Sequence, residues 1–333
     1  VQAAGFVVGL AFLAWAAKLA MSSENQAALS KLRDMLRGES GTSTLVMLVL
    51  LTLASLALNG LMFWVTARPL WSATTRSAAS DTTASSRLCP RLPLFETLGT
   101  NCIATFLSLL PFKLGLLVRS LVHVQRHAMP VSSLLSWFVM FGGMTGATAV
   151  VALLAAIVRG KIDVVWAGLV VAGLAVIIVT VMFLAPLAET IARWIASRVP
   201  SLRFVVLLAA PAATIARSPS TFALHALLRL ADFATFAARF ALLASALGIA
   251  LSKEHALLLG SSFLLLNAAA PAGSLGFAEM GVAGAGTLLA GLPKEQIVLL
   301  SLVTTALQSV VAGLLSIGAW FWLKPLARAS RVK

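Results

Sequence analysis

Long apolar runs separated by short polar stretches alternate along the chain. Residues 3–21, 44–66, 132–158, 164–187 and 296–323 read as continuous hydrophobic segments. A helix crosses a hydrocarbon core about 30 Å thick with about 20 residues, so each of these runs is of spanning length. They are apolar all round rather than alternating with a period of two, which predicts helices and not barrel strands. A further long helix is predicted over 221–251. Residues 22–41 place Leu29, Leu32, Met35 and Leu36 at helical spacing, which predicts a short amphipathic helix at the interface. Residues 67–93 are rich in Ser, Thr, Ala and Arg and predict a flexible loop. Segments 97–119 and 255–291 are hydrophobic but interrupted, and 204–216 is too short to cross and contains Pro211. The expected fold is an all-α, polytopic integral membrane bundle of about six to eight spanning helices, with re-entrant segments, in one domain over 1–333.

Composition agrees. The chain has 333 residues, 60% hydrophobic and 11% charged. A soluble domain carries about a quarter charged residues. The net charge of +14 would suggest nucleic acid in a soluble protein. Here the basic residues lie between apolar runs, so nucleic acid is excluded and membrane lipids with anionic head groups are the expected partner. If the interrupted segments return to the side they enter, one face collects Arg68, Arg87, Arg91, Arg119, Arg126, Arg193, Arg217 and Lys324 among others, and carries the larger basic share. That face is expected to be cytoplasmic, with both termini inside a cytoplasmic (inner) membrane. Residues 3–21 lack a basic leader and read as a first span rather than a signal. Cys89 and Cys102 make no disulfide framework or metal spacing, and no cofactor or metal is expected.

Polar groups inside apolar sequence must find partners or carry function. His225, Arg229, Asp232 and Arg239 fall within roughly 80° of one face of the predicted 221–251 helix. Such a stripe faces protein, water or a polar head group. It is either a self-satisfied ion pair that sets packing or a polar wall lining a substrate path. A second constellation joins Asn101, Pro111, Lys113, Gly115 and Arg119, and a third joins Asn267, Pro271, Gly273, Gly276 and Glu279. In both, proline removes a backbone donor and glycine permits close backbone approach. Arg119 lies eight residues after Pro111, and Glu279 eight after Pro271. Paired broken segments in the two halves of a chain point to a midplane site, and the opposite charges permit an Arg119–Glu279 salt bridge. Asn101, Lys113, Arg119, His225, Arg229, Asp232, Arg239, Asn267 and Glu279 are the candidate substrate-binding residues. Pro111, Gly115, Pro271, Gly273 and Gly276 are the candidate helix breaks.

The pattern Asn101…Pro111-x-Lys113-x-Gly115-x-x-x-Arg119, followed by Asn267…Pro271-x-Gly273-x-x-Gly276-x-x-Glu279, resembles the transmembrane domain of lysylphosphatidylglycerol synthases. That domain also occurs alone in flippase-like membrane proteins, some associated with hopanoid biosynthesis. In this family an acidic residue often follows the first glycine, where this chain has Leu116. The resemblance implies lipid translocation. It does not imply synthesis, since aminoacyl transfer in the synthases belongs to a soluble domain after the membrane domain, and ten residues follow residue 323 here. The expected function is therefore a lipid flippase-like transporter and not an enzyme. The alternatives are a non-transporting partner of lipid-biosynthesis enzymes, or a membrane-embedded enzyme on lipid-linked substrates. No phosphate-binding loop of the Gly-x-x-x-x-Gly-Lys kind is present.

Overall fold

The computed structural model describes residues 2–37, 39–78, 91–109, 114–199, 201, 203–269 and 276–324. Among these residues there are twelve α-helices and no strand. They are α1 (Gln2–Ala20), α2 (Gln26–Arg37), α3 (Glu39–Ala78), α4 (Leu94–Ser108), α5 (Leu114–Gln125), α6 (Val131–Arg159), α7 (Val164–Arg198), α8 (Arg203–Ala216), α9 (Pro219–Leu247), α10 (Lys253–Ala269), α11 (Phe277–Ala290) and α12 (Lys294–Leu323). Five of them, α3, α6, α7, α9 and α12, are long and apolar enough to cross a membrane. The nineteen residues of α1 would extend about 28 Å. The protein is an all-α membrane-embedded bundle.

Local chemistry sets several helix ends. Asp163 caps α7 by accepting from the Trp166 amide at 2.9 Å. Gly160 and Gly248 close α6 and α9 in the left-handed conformation, where glycine is unstrained. One expectation is corrected: residues 67–78, read as the start of a flexible loop, continue α3 to Ala78, with Pro69 inside the helix. Ala67, Leu70 and Leu92 are buried together with Phe63, Trp137 and Ile215, so tertiary packing overrides the loop-like composition there. Of the rest of that predicted loop, 79–90 lies outside the described residues, and 91–93 has no regular secondary structure. The amphipathic helix expected in 22–41 is α2.

The interrupted segments become two helical hairpins. In the first, Glu96 binds Arg126 across 30 residues and Asn101 binds Arg119 across 18. The narrowing separation means that α5 runs back antiparallel along α4. In the second, a Cβ on Gly286 would lie 2.8 Å from Leu259, and one on Gly281 2.7 Å from Leu266, so α11 runs back along α10. At 1.5 Å per residue these four helices are about 18–26 Å long, shorter than the hydrocarbon core. Both hairpins therefore enter and return on one side.

They enter from opposite faces, and α12 is the ruler. Its first turn meets the foot of the second hairpin through residues 291–293, and the Glu295 carbonyl there accepts from Asn25 at 3.0 Å. Its last residue, Leu323, accepts from Arg126 at the foot of the first hairpin at 3.0 Å. Thirty helical residues, about 45 Å, lie between those two contacts. The short α8 begins and ends on the face of the first hairpin, where Ser136 near the start of α6 donates to the Leu208 carbonyl at 2.7 Å. It does not cross. Behind the hairpins, α3 and α9 pack antiparallel along the centre, with Phe233, Phe236, Phe240 and Phe263 in the main core.

Candidate functional site: a cavity between two hairpins

A cavity of about 560 Å³ opens where the two hairpins approach each other against α3 and α9. Ser55, Asn59 and Phe63 of α3 and Arg229 and Asp232 of α9 line its back. Thr105, Ser108, Gly115 and Arg119 come from the first hairpin and Asn267 from the second. Gln308 of α12 and Thr145 of α6 complete the polar lining.

Arg119 is the notable group. It is 5% exposed, and its Nη2 donates to Asn101 Oδ1 at 2.7 Å. Asn101 Nδ2 in turn donates to the Leu56 carbonyl at 2.9 Å, which fixes the amide's orientation. The guanidinium carbon lies 3.5 Å from the centre of the Phe63 ring, a cation–π contact away from water. Nη1 has no partner, and Arg119 forms no ion pair among the described residues. A positive charge thus lies in the cavity lining, and one of its donors is buried without a partner. The hairpin allows this because Gly115 lets α5 touch α4: a Cβ there would collide with the Ala104 carbonyl oxygen.

The α9 stripe faces inward as expected, and its four polar residues are all at most 2% exposed. Arg229 Nη1 pairs with Asp232 Oδ2 at 2.8 Å, three residues on along the helix. Ser55 Oγ donates to Asp232 Oδ1 at 2.6 Å. Arg229 Nη2 donates to Thr145 Oγ1 at 3.1 Å, leaving that hydroxyl to donate to His225 Nε2 at 3.2 Å. Thr66 Oγ1 donates to the Met62 carbonyl at 2.7 Å and accepts from His225 Nδ1 at 3.0 Å. Every hydroxyl in this chain gives one hydrogen and takes one, which assigns His225 as the neutral tautomer protonated on Nδ1. Arg229 and Asp232 are a buried ion pair and also wall the cavity, whereas His225 is a packing group behind it.

The remaining candidates separate. Arg239 does not line the cavity but touches two residues that do, packing on Phe236 and donating to Gln308 Oε1 at 3.5 Å, and it also donates to the Thr304 carbonyl at 3.2 Å. Glu279 is 1% exposed, and its Oε1 accepts from Thr305 of α12 at 2.5 Å while Oε2 has no partner. The expected Arg119–Glu279 salt bridge is absent among the described residues: Arg119 faces α3 and α4, and Glu279 faces α12. Asn267 lines the cavity, donating to the Phe263 carbonyl at 2.8 Å. Gly276 marks the break before α11 with a φ of 79°, which glycine adopts freely. Pro111, Lys113, Pro271 and Gly273 lie outside the described residues.

Sequence reasoning missed the uncharged partners. Ser55, Asn59, Thr145, Thr305 and Gln308 are single polar residues in apolar runs, and only the four-residue spacing of Ser55 and Asn59 offered a signal. It also missed the clamp at the foot of the first hairpin. There Glu96 accepts from Arg126 Nε at 2.7 Å and Nη2 at 2.9 Å, and contacts His127 at 2.9 Å. The Arg126 hydrogen bond holds the Glu96 carboxyl below its usual range, against burial, which pushes it up. No group of three metal-ligating side chains occurs among the described residues. No protein-family model, no curated protein and no solved structure matches the chain, so its function is argued from the chemistry of the cavity.

Proposed function

We propose that this chain is a flippase-like membrane transporter for lipids with anionic, phosphate-bearing head groups. The kinship suggested by the 101–119 and 267–279 motifs, with the membrane domain of lysylphosphatidylglycerol synthases, is part of the same proposal. One observation carries it: the buried Arg119 guanidinium, with no carboxylate partner among the described residues and one donor unpaired, in the lining of a cavity in the middle of an apolar bundle. A guanidinium binds phosphate through its fork of donors, and a desolvated cation without a counter-ion gains most from an anionic ligand. Opposed hairpins supply the second support, because broken helices at a midplane site suit alternating access from the two faces. The face bearing Arg68, Arg126 and Lys324 is proposed as cytoplasmic on its basic excess.

The test is translocation of fluorescent lipids in proteoliposomes containing the purified chain. Anionic lipids are expected to move faster than zwitterionic ones, and Arg119→Gln to remove the difference. If no lipid moves in folded protein that co-purifies with lipid-synthesis enzymes, the transporter reading fails and a scaffold takes its place.

A further inference from the structure

An anion site can serve a soluble anion or a lipid head group, and the position of its mouth distinguishes the two. On α6 the cavity is edged by Gly142 and Gly146. These lie 11 and 15 residues after Val131 in a helix of 29 residues, about 17–23 Å along its axis. That is the depth of the hydrocarbon core. A Cβ at either glycine would meet no described atom within 4 Å, and Gly142 is exposed. Across the gap on α5 stands Leu116, also lining the cavity and 46% exposed. The two helices touch only lightly. The mouth between them is thus edged by small or apolar residues at mid-depth, with Arg119 in the lining of the same cavity.

We propose that the ligand enters this cavity sideways from the bilayer, between α5 and α6. It is a membrane amphiphile whose phosphate-bearing head lies against Arg119 while its chains remain outside in the hydrocarbon. This rests on the reading of the cavity as an anionic-lipid site and adds the route and the ligand class. A charged residue at the mouth would be unfavourable there, since it would stand in hydrocarbon. The glycines instead leave room for an acyl or isoprenoid chain to pass while its head is inside.

The experiment measures binding of fluorescent phosphatidylglycerol to the purified protein in micelles of a neutral detergent. It compares wild type, Gly142→Phe/Gly146→Phe at the mouth, Gly168→Phe on the exposed face of α7, and Arg119→Gln. Gly168 also has no described atom within 4 Å of a Cβ, so it controls for a bulky residue in the apolar surface. Glycerol phosphate in the aqueous phase is the soluble competitor. Wild type and Gly168→Phe are expected to bind, the mouth variant and Arg119→Gln to lose binding, and a large excess of glycerol phosphate to displace nothing. If the double mouth variant does not melt as wild type does, Gly142→Leu alone replaces it. Wild-type binding by a folded mouth variant, or displacement by glycerol phosphate, overturns sideways entry. With Arg119→Gln still inactive, that outcome leaves the cavity as the anion site. Equal binding by Arg119→Gln and wild type, or no binding by wild type, removes both proposals.

Discussion

The two hairpins are alike in shape and opposite in chemistry. The α4–α5 hairpin turns its charge into the cavity, where Asn101 and Phe63 hold Arg119. The α10–α11 hairpin turns its charge away, with Glu279 sunk against Thr305 of α12, and offers the cavity Asn267. Their internal contacts differ as well. Gly115 brings backbone against backbone at Ala104, whereas Gly281 meets the Leu266 side chain. A carbonyl oxygen held in a helix cannot step aside, but a leucine can change rotamer. The first hairpin should therefore be the more rigid, and its foot is clamped by Glu96, Arg126 and His127. A similar broken motif has produced one arm that presents a cation and one that buries an acid.

The largest expected effect falls on the wall both arms share. Asp232→Ala strands the Arg229 guanidinium in the core and should destabilise the protein by about 3–5 kcal/mol, read as a lowered melting temperature in detergent. Arg229→Met/Asp232→Leu should recover much of that loss. If the double variant melts no higher than the single one, the stranded charge is not what destabilises Asp232→Ala.

Next comes the contrast in charge. Arg119→Gln should reduce anionic-lipid translocation by about one to two orders of magnitude, equivalent to losing a charge-assisted hydrogen bond of about 1.5–3 kcal/mol. Glu279→Gln should leave anionic-lipid binding intact, because its carboxyl lies outside the cavity lining. An equal loss in both variants would erase the functional distinction between the hairpins.

The contrast in stiffness is tested at the glycines. Gly115→Ala forces a Cβ against backbone and should lower stability by about 1–3 kcal/mol. Gly281→Ala should have the smaller effect on the melting temperature. The reverse order would mean that the second hairpin is the rigid one.

The smallest effect concerns the clamp. Because the Glu96 carboxyl is held below its usual value of 4.5, its contribution is present above that value and is lost as pH falls through the lower, folded one. Arg126 is 40% exposed, so the pair is screened and contributes less than about 1 kcal/mol. Melting temperature measured from about pH 6 to 3 should fall slightly more steeply in wild type than in Glu96→Gln. Parallel curves would remove the clamp from the comparison.

Helix identity was legible to within a few residues in α6 and α12, because the requirement to satisfy every backbone group in lipid leaves few alternatives, whereas α7 began where expected but runs eleven residues past 187 to Arg198, with Pro186 inside it. The inward face of α9 was legible for a related reason: hydrocarbon rejects His225, Arg229, Asp232 and Arg239 together. Residues 67–78 misled because Ser, Thr, Ala and Arg are tolerated in a helix once Phe63, Leu92 and Trp137 give it a surface to pack on. The Arg119–Glu279 pairing also misled. Equal spacing from a proline says nothing about which way a side chain points after the chain turns back.

The sequence by itself determined that this protein is a helical membrane bundle and which charges on α9 must be buried, since the free energy of placing groups in hydrocarbon is read position by position. The tertiary structure alone decided the partners of those charges. Arg119 meets Asn101 rather than an acid, Asp232 takes Ser55 from a helix 177 residues away, and Glu279 takes Thr305. Such pairings depend on the direction of each hairpin and the rotation of each helix, which are set by contacts between segments far apart in the chain.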